Sequence, residues 1–230
     1  MKESAREKII AVGVEIVAVS GFNATGIDAI LKAAGVPKGS FYHHFGTKEN
    51  FGIEVINLFA ENYTKKLHGY LDDETLAPLQ RIRRYLEESI EHTVQDNFSK
   101  GCLIGNLGQE LAAQSERFRN RLEEVFHEWL GLFTKCLQEA QRAGELNPGL
   151  DPQSLAGFLL SGWEGAILRA KVMRSPEPLK QFVNGFTTSD SRLNCRAASQ
   201  LMQYMHSEHS YEHAEKSTTG YDRYRCRMCE

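Results

Sequence analysis

Three residues, Gly35-Val36-Pro37, dictate how the first fifty can fold. Glycine takes positive φ without strain, and proline cannot continue a preceding helix but suits the first turn of a new one. A helix reaching Ala34 must therefore turn sharply and restart. The new helix runs from about Lys38 to Phe45 and is closed by Gly46, which leaves it about two turns long. So short a segment cannot stand alone and must pack on its neighbours. Phe41 and Phe45, four apart, suit its inner face, while Lys38, Ser40, Tyr42, His43 and His44 offer hydrogen-bonding groups outward.

The flanks are helical too. Residues 4 to 19 carry Ile9, Ile10, Val12, Val14, Ile16, Val17 and Val19, with Gly21 as a stop. Thr25 is expected to cap a second helix ending near Ala34, with Asp28 reaching back in the manner of a capping box. Thr47 and Glu49 open a fourth helix that continues to about His68. Beyond it, Leu79, Ile82, Leu86, Ile90 and Val94 recur at helical spacing, a strongly amphipathic run follows from Ser115, and "NPGLDPQ" is a clear break. No stretch shows sustained strand alternation. The predicted fold is all-α: a helix-turn-helix unit over residues 1–50, a larger helical bundle over 51–186 and an atypical, disordered tail over 187–230.

Two short helices joined by a glycine-containing turn match the arrangement that lays a helix in the major groove, although an ordinary αα-hairpin shares the geometry. The residues go further. Thr25, Ile30, Ala34-Gly35-Val36, Lys38-Gly39-Ser40, Phe41-Tyr42-His43-His44-Phe45 and Thr47-Lys48-Glu49 resemble the signature of TetR-type transcriptional regulators over residues 6 to 52. The resemblance implies a homodimer that binds a pseudo-palindromic double-stranded operator, usually as a repressor, and releases it when a small molecule or chemical signal alters the C-terminal domain. Position by position it implies Thr25, Lys38, Ser40, Tyr42, His43 and Lys48 as DNA contacts. Composition does not show this. Residues 1 to 50 hold six Lys+Arg against five acids, so helix N-termini and polar groups must contribute as much as net charge.

In "NFSKGCLIGNLGQELA", Cys102 follows Lys100 where a helix begins. The helix dipole and the cation should both lower its thiol pKa, and the thiolate is the reactive form. The competing reading makes Cys102 one small hydrophobe beside Leu103, Ile104 and Leu107. Cys136 reads as core. "KGCLIGNLGQELA" with "GWEGAILRAKVMRS" is similar to the TetR-type branch that includes the N-ethylmaleimide-reductase repressor and the acrylate-responsive repressor. That resemblance implies electrophile or oxidant sensing at Cys102, assisted by Lys171, or a reversible small-molecule effector. Trp163, with Phe158 and Leu159, either lines an effector pocket or packs the core and dimer face. The family places a four-helix dimer bundle at residues 152 to 174 and the helix opening at Pro176. Ala156, Gly157, Ser161, Gly162, Gly165 and Ala166 permit the close approach this needs.

The remaining chain narrows the classes. No apolar run reaches the length of a membrane span, and the charged start "MKESAREKII" lacks a signal-peptide core, so a cytoplasmic protein is expected. Five cysteines without framework spacing read as reduced thiols. No cofactor and no metal is expected. Cys226 and Cys229 near His206, His209 and His213 form a weak zinc pattern, set against a tail in which only residues 192 to 205 suit a helix. An enzyme with Cys102 as nucleophile would need a base and an oxyanion site, and none is evident nearby in sequence. A protein-binding adaptor would leave "PKGSFYHHFGTKE" without a use.

Overall fold

The computed structural model describes residues 4–187. The weak helix expected at 192–205 and the Cys226, Cys229, His206, His209 and His213 pattern lie outside the described residues, as does all but the first residue of the predicted tail. Among the described residues there are nine α-helices and no strand: α1 (Ala5–Ser20), α2 (Ile27–Ala34), α3 (Lys38–Phe45), α4 (Lys48–Leu71), α5 (Pro78–Gln95), α6 (Leu103–Leu111), α7 (Glu116–Arg142), α8 (Pro152–Met173) and α9 (Glu177–Thr187).

Local chemistry explains most of the boundaries. Ser4 and Glu7 form a reciprocal capping box on α1, their bonds 3.2 and 2.8 Å long. Gly21, Gly35 and Gly46 close α1, α2 and α3 at φ of 80°, 63° and 69°, a region that penalises any side chain. Thr47 caps α4 by accepting from the Asn50 amide at 3.1 Å, and Pro78 and Pro152 occupy first turns of α5 and α8. The cap expected from Thr25 is not formed. Gly26 stands at the N-cap of α2, the Thr25 hydroxyl donates to the Gly21 carbonyl instead, and Asp28 turns outward to Lys38.

A cluster of aromatic rings holds α3 in place. Phe41, Phe45 and Phe51 meet pairwise at 5.1 to 5.3 Å between centroids, beneath Ile9, Ile30 and Val17. Helix α4 begins before the expected boundary at residue 50, crosses it without a break and packs against both α1 and α7. Residues 4–187 consequently belong to one compact unit. Gly52 lets α4 come close at the crossing, since a Cβ there would lie 2.6 to 2.8 Å from the rings of Phe22 and Phe118. Around Trp129, Phe133, Leu86 and Leu103, helices α5 to α9 then build the larger core.

Candidate nucleic-acid interface and sensor site

The outward face of α3 carries Lys38, Tyr42, His43 and His44 exposed and Ser40 half-buried, while Phe41 and Phe45 are buried beneath it. Tyr42 is 54 % exposed, and a ring so uncovered at the tip of a packed unit is a surface available to a partner. Lys38 forms an exposed ion pair with Asp28 at 2.9 Å, which water and salt would exchange readily. The structure gathers Lys38, Ser40, Tyr42 and His43, four of the six implied contacts, on one short helix.

The other two implied contacts sit differently. Thr25 is buried, its hydroxyl committed to Gly21. Lys48 donates from Nζ to the carbonyls of Phe22 at 2.8 Å and Asn23 at 3.4 Å, and its ammonium lies 4.7 Å from the centre of the Phe22 ring. Burial pulls its pKa below the usual lysine range, opposed by the charge of Glu110. Both residues therefore brace the loop between α1 and α2. Glu110, on α6, completes the brace by accepting from the amides of Phe22 at 2.9 Å and Asn23 at 2.6 Å. Sequence reading missed Glu110, because its partners lie 87 and 88 residues away and leave no local pattern.

At the opposite end of α6, Cys102 is the N-cap and is buried. The expected low thiol pKa is corrected here. Burial pushes the thiol well above its ordinary value, the Glu164 carboxyl adds to this, and the amides of Gly105 and Ile104 oppose it without prevailing. Lys100 gives no help, since its ammonium turns to Glu15 of α1 at 3.1 Å and Asp96 at 3.4 Å. Its carbonyl accepts from Lys171 Nζ at 3.0 Å and Asn106 Nδ2 at 2.9 Å, so Lys171 clasps the backbone just ahead of Cys102.

Glu164 was also missed in sequence, although a lone carboxylate between Trp163 and Gly165 on an apolar helix was a usable signal. It meets the first turn of α6 face to face: a Cβ at Gly105 would collide with its carboxylate while lying 3.8 Å from Cys102 Cβ. The Tyr63 and Tyr85 hydroxyls pair at 2.7 Å beside it, and both phenols feel the charges of Cys102 and Glu164. Trp163 is buried against Phe182, its Nε1 without a hydrogen-bond partner although Tyr85 is close by. Phe158 faces solvent instead and Leu159 is in the core, so the three residues do not share one pocket wall. A surface groove on α7 and α8, lined by His127, Leu130, Thr134 and Gln153, holds none of the sensor residues.

The small residues of α8 also divide. Ala156 and Ala166 are buried within the chain, and Gly162 admits Phe182 of α9, where a Cβ would sit 2.5 Å from the ring. Phe158, Ser161, Gly165, Leu168 and Val172 form a separate exposed stripe at spacings of three and four.

The family model described as bacterial regulatory proteins, tetR family, matches residues 9–55, and the tetracyclin repressor-like C-terminal domain matches residues 78–186. The chain belongs to the TetR family. Among TetR-family relatives, it is 41 % identical over 182 residues to the transcriptional regulator AcuR of Cereibacter sphaeroides, covering 79 % of this chain and 83 % of that one. It is 38 % identical over 178 residues to the transcriptional repressor DhaR of a Mycobacterium species, covering 77 % and 88 %. The crystal structure of the reduced form of Escherichia coli NemR superposes with a TM-score of 0.76 at 30 % identity, covering 81 % of this chain and 96 % of that one. TetR-family membership makes the chain a transcriptional regulator with an N-terminal DNA-binding unit, and sets aside both the cysteine enzyme and the adaptor. No described helix is long and apolar enough to cross a membrane.

Proposed function

We propose that the chain is a cytoplasmic homodimeric repressor that docks α3 of each copy in the major groove of a two-fold operator and lets go when Cys102 is modified. The observation that carries this is the α3 face, which displays Lys38, Ser40, Tyr42, His43 and His44 over a rigid aromatic base. Ser40, Tyr42 and His43 read base edges and Lys38 meets phosphate, while Thr25 and Lys48 act one step back by holding the loop that sets the height of α2. The names of DhaR and NemR as transcriptional repressors support the direction of control. The stripe Phe158, Ser161, Gly165, Leu168 and Val172 supplies the second-copy interface, since an exposed apolar face of this kind suits an isologous helix pair.

Release follows from packing. A group added to Cys102 has Leu103, Ile104 and Leu107 around it, all 1 % exposed or less, and overfilling such a core costs about 1–3 kcal/mol. Helix α6 is the element best able to relieve the strain. Because it also holds the α1–α2 loop, its movement reaches the DNA-binding unit.

The test uses a duplex selected from a random-sequence pool. Wild type and Cys102→Ser are titrated with N-ethylmaleimide while binding to that duplex is followed. Wild type should lose the duplex in step with modification of Cys102, and Cys102→Ser should hold it. Equal loss in both would move the sensor to another thiol. Retention by fully modified wild type would leave a reversible effector.

On the DNA side, Tyr42→Ala should weaken binding by about 1 kcal/mol or more with helical content unchanged. Lys38→Met should flatten the slope of log affinity against log salt by about one unit, whereas Lys48→Met should weaken binding without changing that slope. A changed slope for Lys48→Met would return Lys48 to the phosphate contacts.

A further inference from the structure

We propose that Glu164 is the general base of the Cys102 site, taking the thiol proton as the sulfur adds to an electrophilic alkene. The proposal rests on Cys102 being the sensing thiol and says how a thiol so placed can react at all. Burial keeps Cys102 protonated at neutral pH, so thiolate chemistry of the ordinary kind is closed to it. A base must take the proton as the new bond forms.

Glu164 is the group in position. Its carboxyl lies beside the Cys102 thiol and acts on it electrostatically, and Gly105, where a Cβ would collide with the carboxylate and lie 3.8 Å from Cys102 Cβ, leaves both in one small space between α8 and the first turn of α6. Among the described residues no cation answers this carboxylate. Lys171, two turns further along α8, spends its ammonium on the Lys100 carbonyl, and the titratable groups facing Glu164 are Cys102 from α6, Tyr63 from α4 and Tyr85 from α5. A largely buried carboxylate whose titratable company among the described residues is a thiol and phenols costs stability, and an apolar side chain would pack there at less expense. Its placement is explained by chemistry.

The rest of the cluster indicates what binds. Tyr63 and Tyr85 share one hydrogen bond between two hydroxyls, which leaves one phenolic proton to donate, and the buried Trp163 Nε1 has no acceptor. Two unspent donors beside a thiol suit a carbonyl oxygen. Leu103, Ile104 and Leu107 restrict the remainder to a few apolar carbons, and the carboxylate disfavours an anion.

The step balances without a further reagent. As the sulfur electron pair forms the bond from Sγ to the β-carbon, the thiol proton passes to a Glu164 oxygen. The alkene π pair moves onto the carbonyl as an enolate, whose oxygen the Tyr and Trp donors hold. Glu164 then returns the proton to the α-carbon, giving a thioether and restoring the carboxylate.

The experiment treats the full chain with methyl vinyl ketone across pH 5 to 10 and follows adduct formation at Cys102 by peptide mass. Wild type should react with a rate that rises through a midpoint above the ordinary carboxylate range, where burial has pushed Glu164, and then level off. Glu164→Gln should be slower by about 100-fold at pH 7 and should gain about tenfold per pH unit, following the small thiolate fraction. Glu164→Asp, which keeps the carboxylate, should recover most of the rate. Removing the negative charge would on its own ease thiol ionisation, so a purely electrostatic or structural Glu164 predicts a rate in Glu164→Gln equal to wild type or faster. That result, or matching pH profiles in all three proteins with matching melting curves, overturns the proposal. If wild-type Cys102 does not react, the reading of Cys102 as the sensing thiol falls as well, so the two failures are told apart.

Discussion

Glu110→Ala is expected to weaken operator binding about tenfold and to leave its salt dependence unchanged. The carboxylate contacts no DNA in the proposed docking. Its work is to hold the amides of Phe22 and Asn23 at 2.9 and 2.6 Å, from α6, while Lys48 holds the carbonyls of the same two residues from α4. Hydrogen bonds to a charged group contribute about 1.5–3 kcal/mol each, discounted here because Asn23 is exposed. A net loss near 1.4 kcal/mol in the defined placement of α2 and α3 is tenfold in affinity. No phosphate contact is removed, so the salt slope stays put. The same variant should also blunt the response to Cys102 modification, because α6 would then move without pulling the loop. Lys48→Met combined with Glu110→Ala should cost much less than the sum of the two, as members of one brace do. Full affinity and full response in Glu110→Ala, measured by fluorescence anisotropy before and after maleimide, would make the brace incidental. Glu15→Gln is the natural control: its pair with Lys100 reaches α1 from the other end of α6, but Glu15 is 67 % exposed and such pairs contribute little.

What the sequence disclosed and what it withheld divide along the same line. Helix α3 was readable to the residue, Lys38 to Phe45, because its limits are set by Gly35, Pro37 and Gly46 acting on their immediate neighbours. The cap of α2 was misread for the converse reason. Thr25 followed by Asp28 has the local form of a capping box, yet packing drew the threonine hydroxyl inward to Gly21 and Lys38 drew the aspartate outward. Cys102 repeats the lesson with charge. The helix start was real and its amides do favour the thiolate, but Lys100 answers to Glu15, 85 residues earlier, and burial outweighs the amides. Glu110 and Glu164 were missed because each finds its partners far away in the chain, Glu110 in the α1–α2 loop and Glu164 on α4, α5 and the start of α6, although the lone charge of Glu164 on an apolar helix was a signal to follow. A sequence shows the devices that act within one turn; the sensor works between helices.

Arg81→Met is expected to be a severely destabilising single change, about 3 kcal/mol. Arginine is seldom buried unless paired, and Arg81 is 7 % exposed. Its Nε donates to the Leu76 carbonyl at 2.9 Å, and its Nη1 donates to the Leu71 carbonyl at 3.1 Å and the Glu139 carboxylate at 2.7 Å. One guanidinium thereby satisfies the last carbonyl of α4, fixes the turn into α5 and ties both to α7. Methionine fills much of the volume but leaves three acceptors bare, one of them charged, and removing one partner of a buried pair costs about 3–5 kcal/mol. The lower figure applies because Glu139 keeps 28 % exposure. In a chain of this size each kcal/mol lowers Tm by about 2–4 °C, so a fall of about 6–12 °C is expected at fixed protein concentration. Adding Glu139→Leu to Arg81→Met removes the stranded carboxylate and should recover part of the loss, whereas Arg81→Lys, a single point charge in place of a fork, should fall between. If the double variant melts lower than Arg81→Met alone, the charge of Glu139 is not what makes the loss severe, and the bare carbonyls of Leu71 and Leu76 carry it.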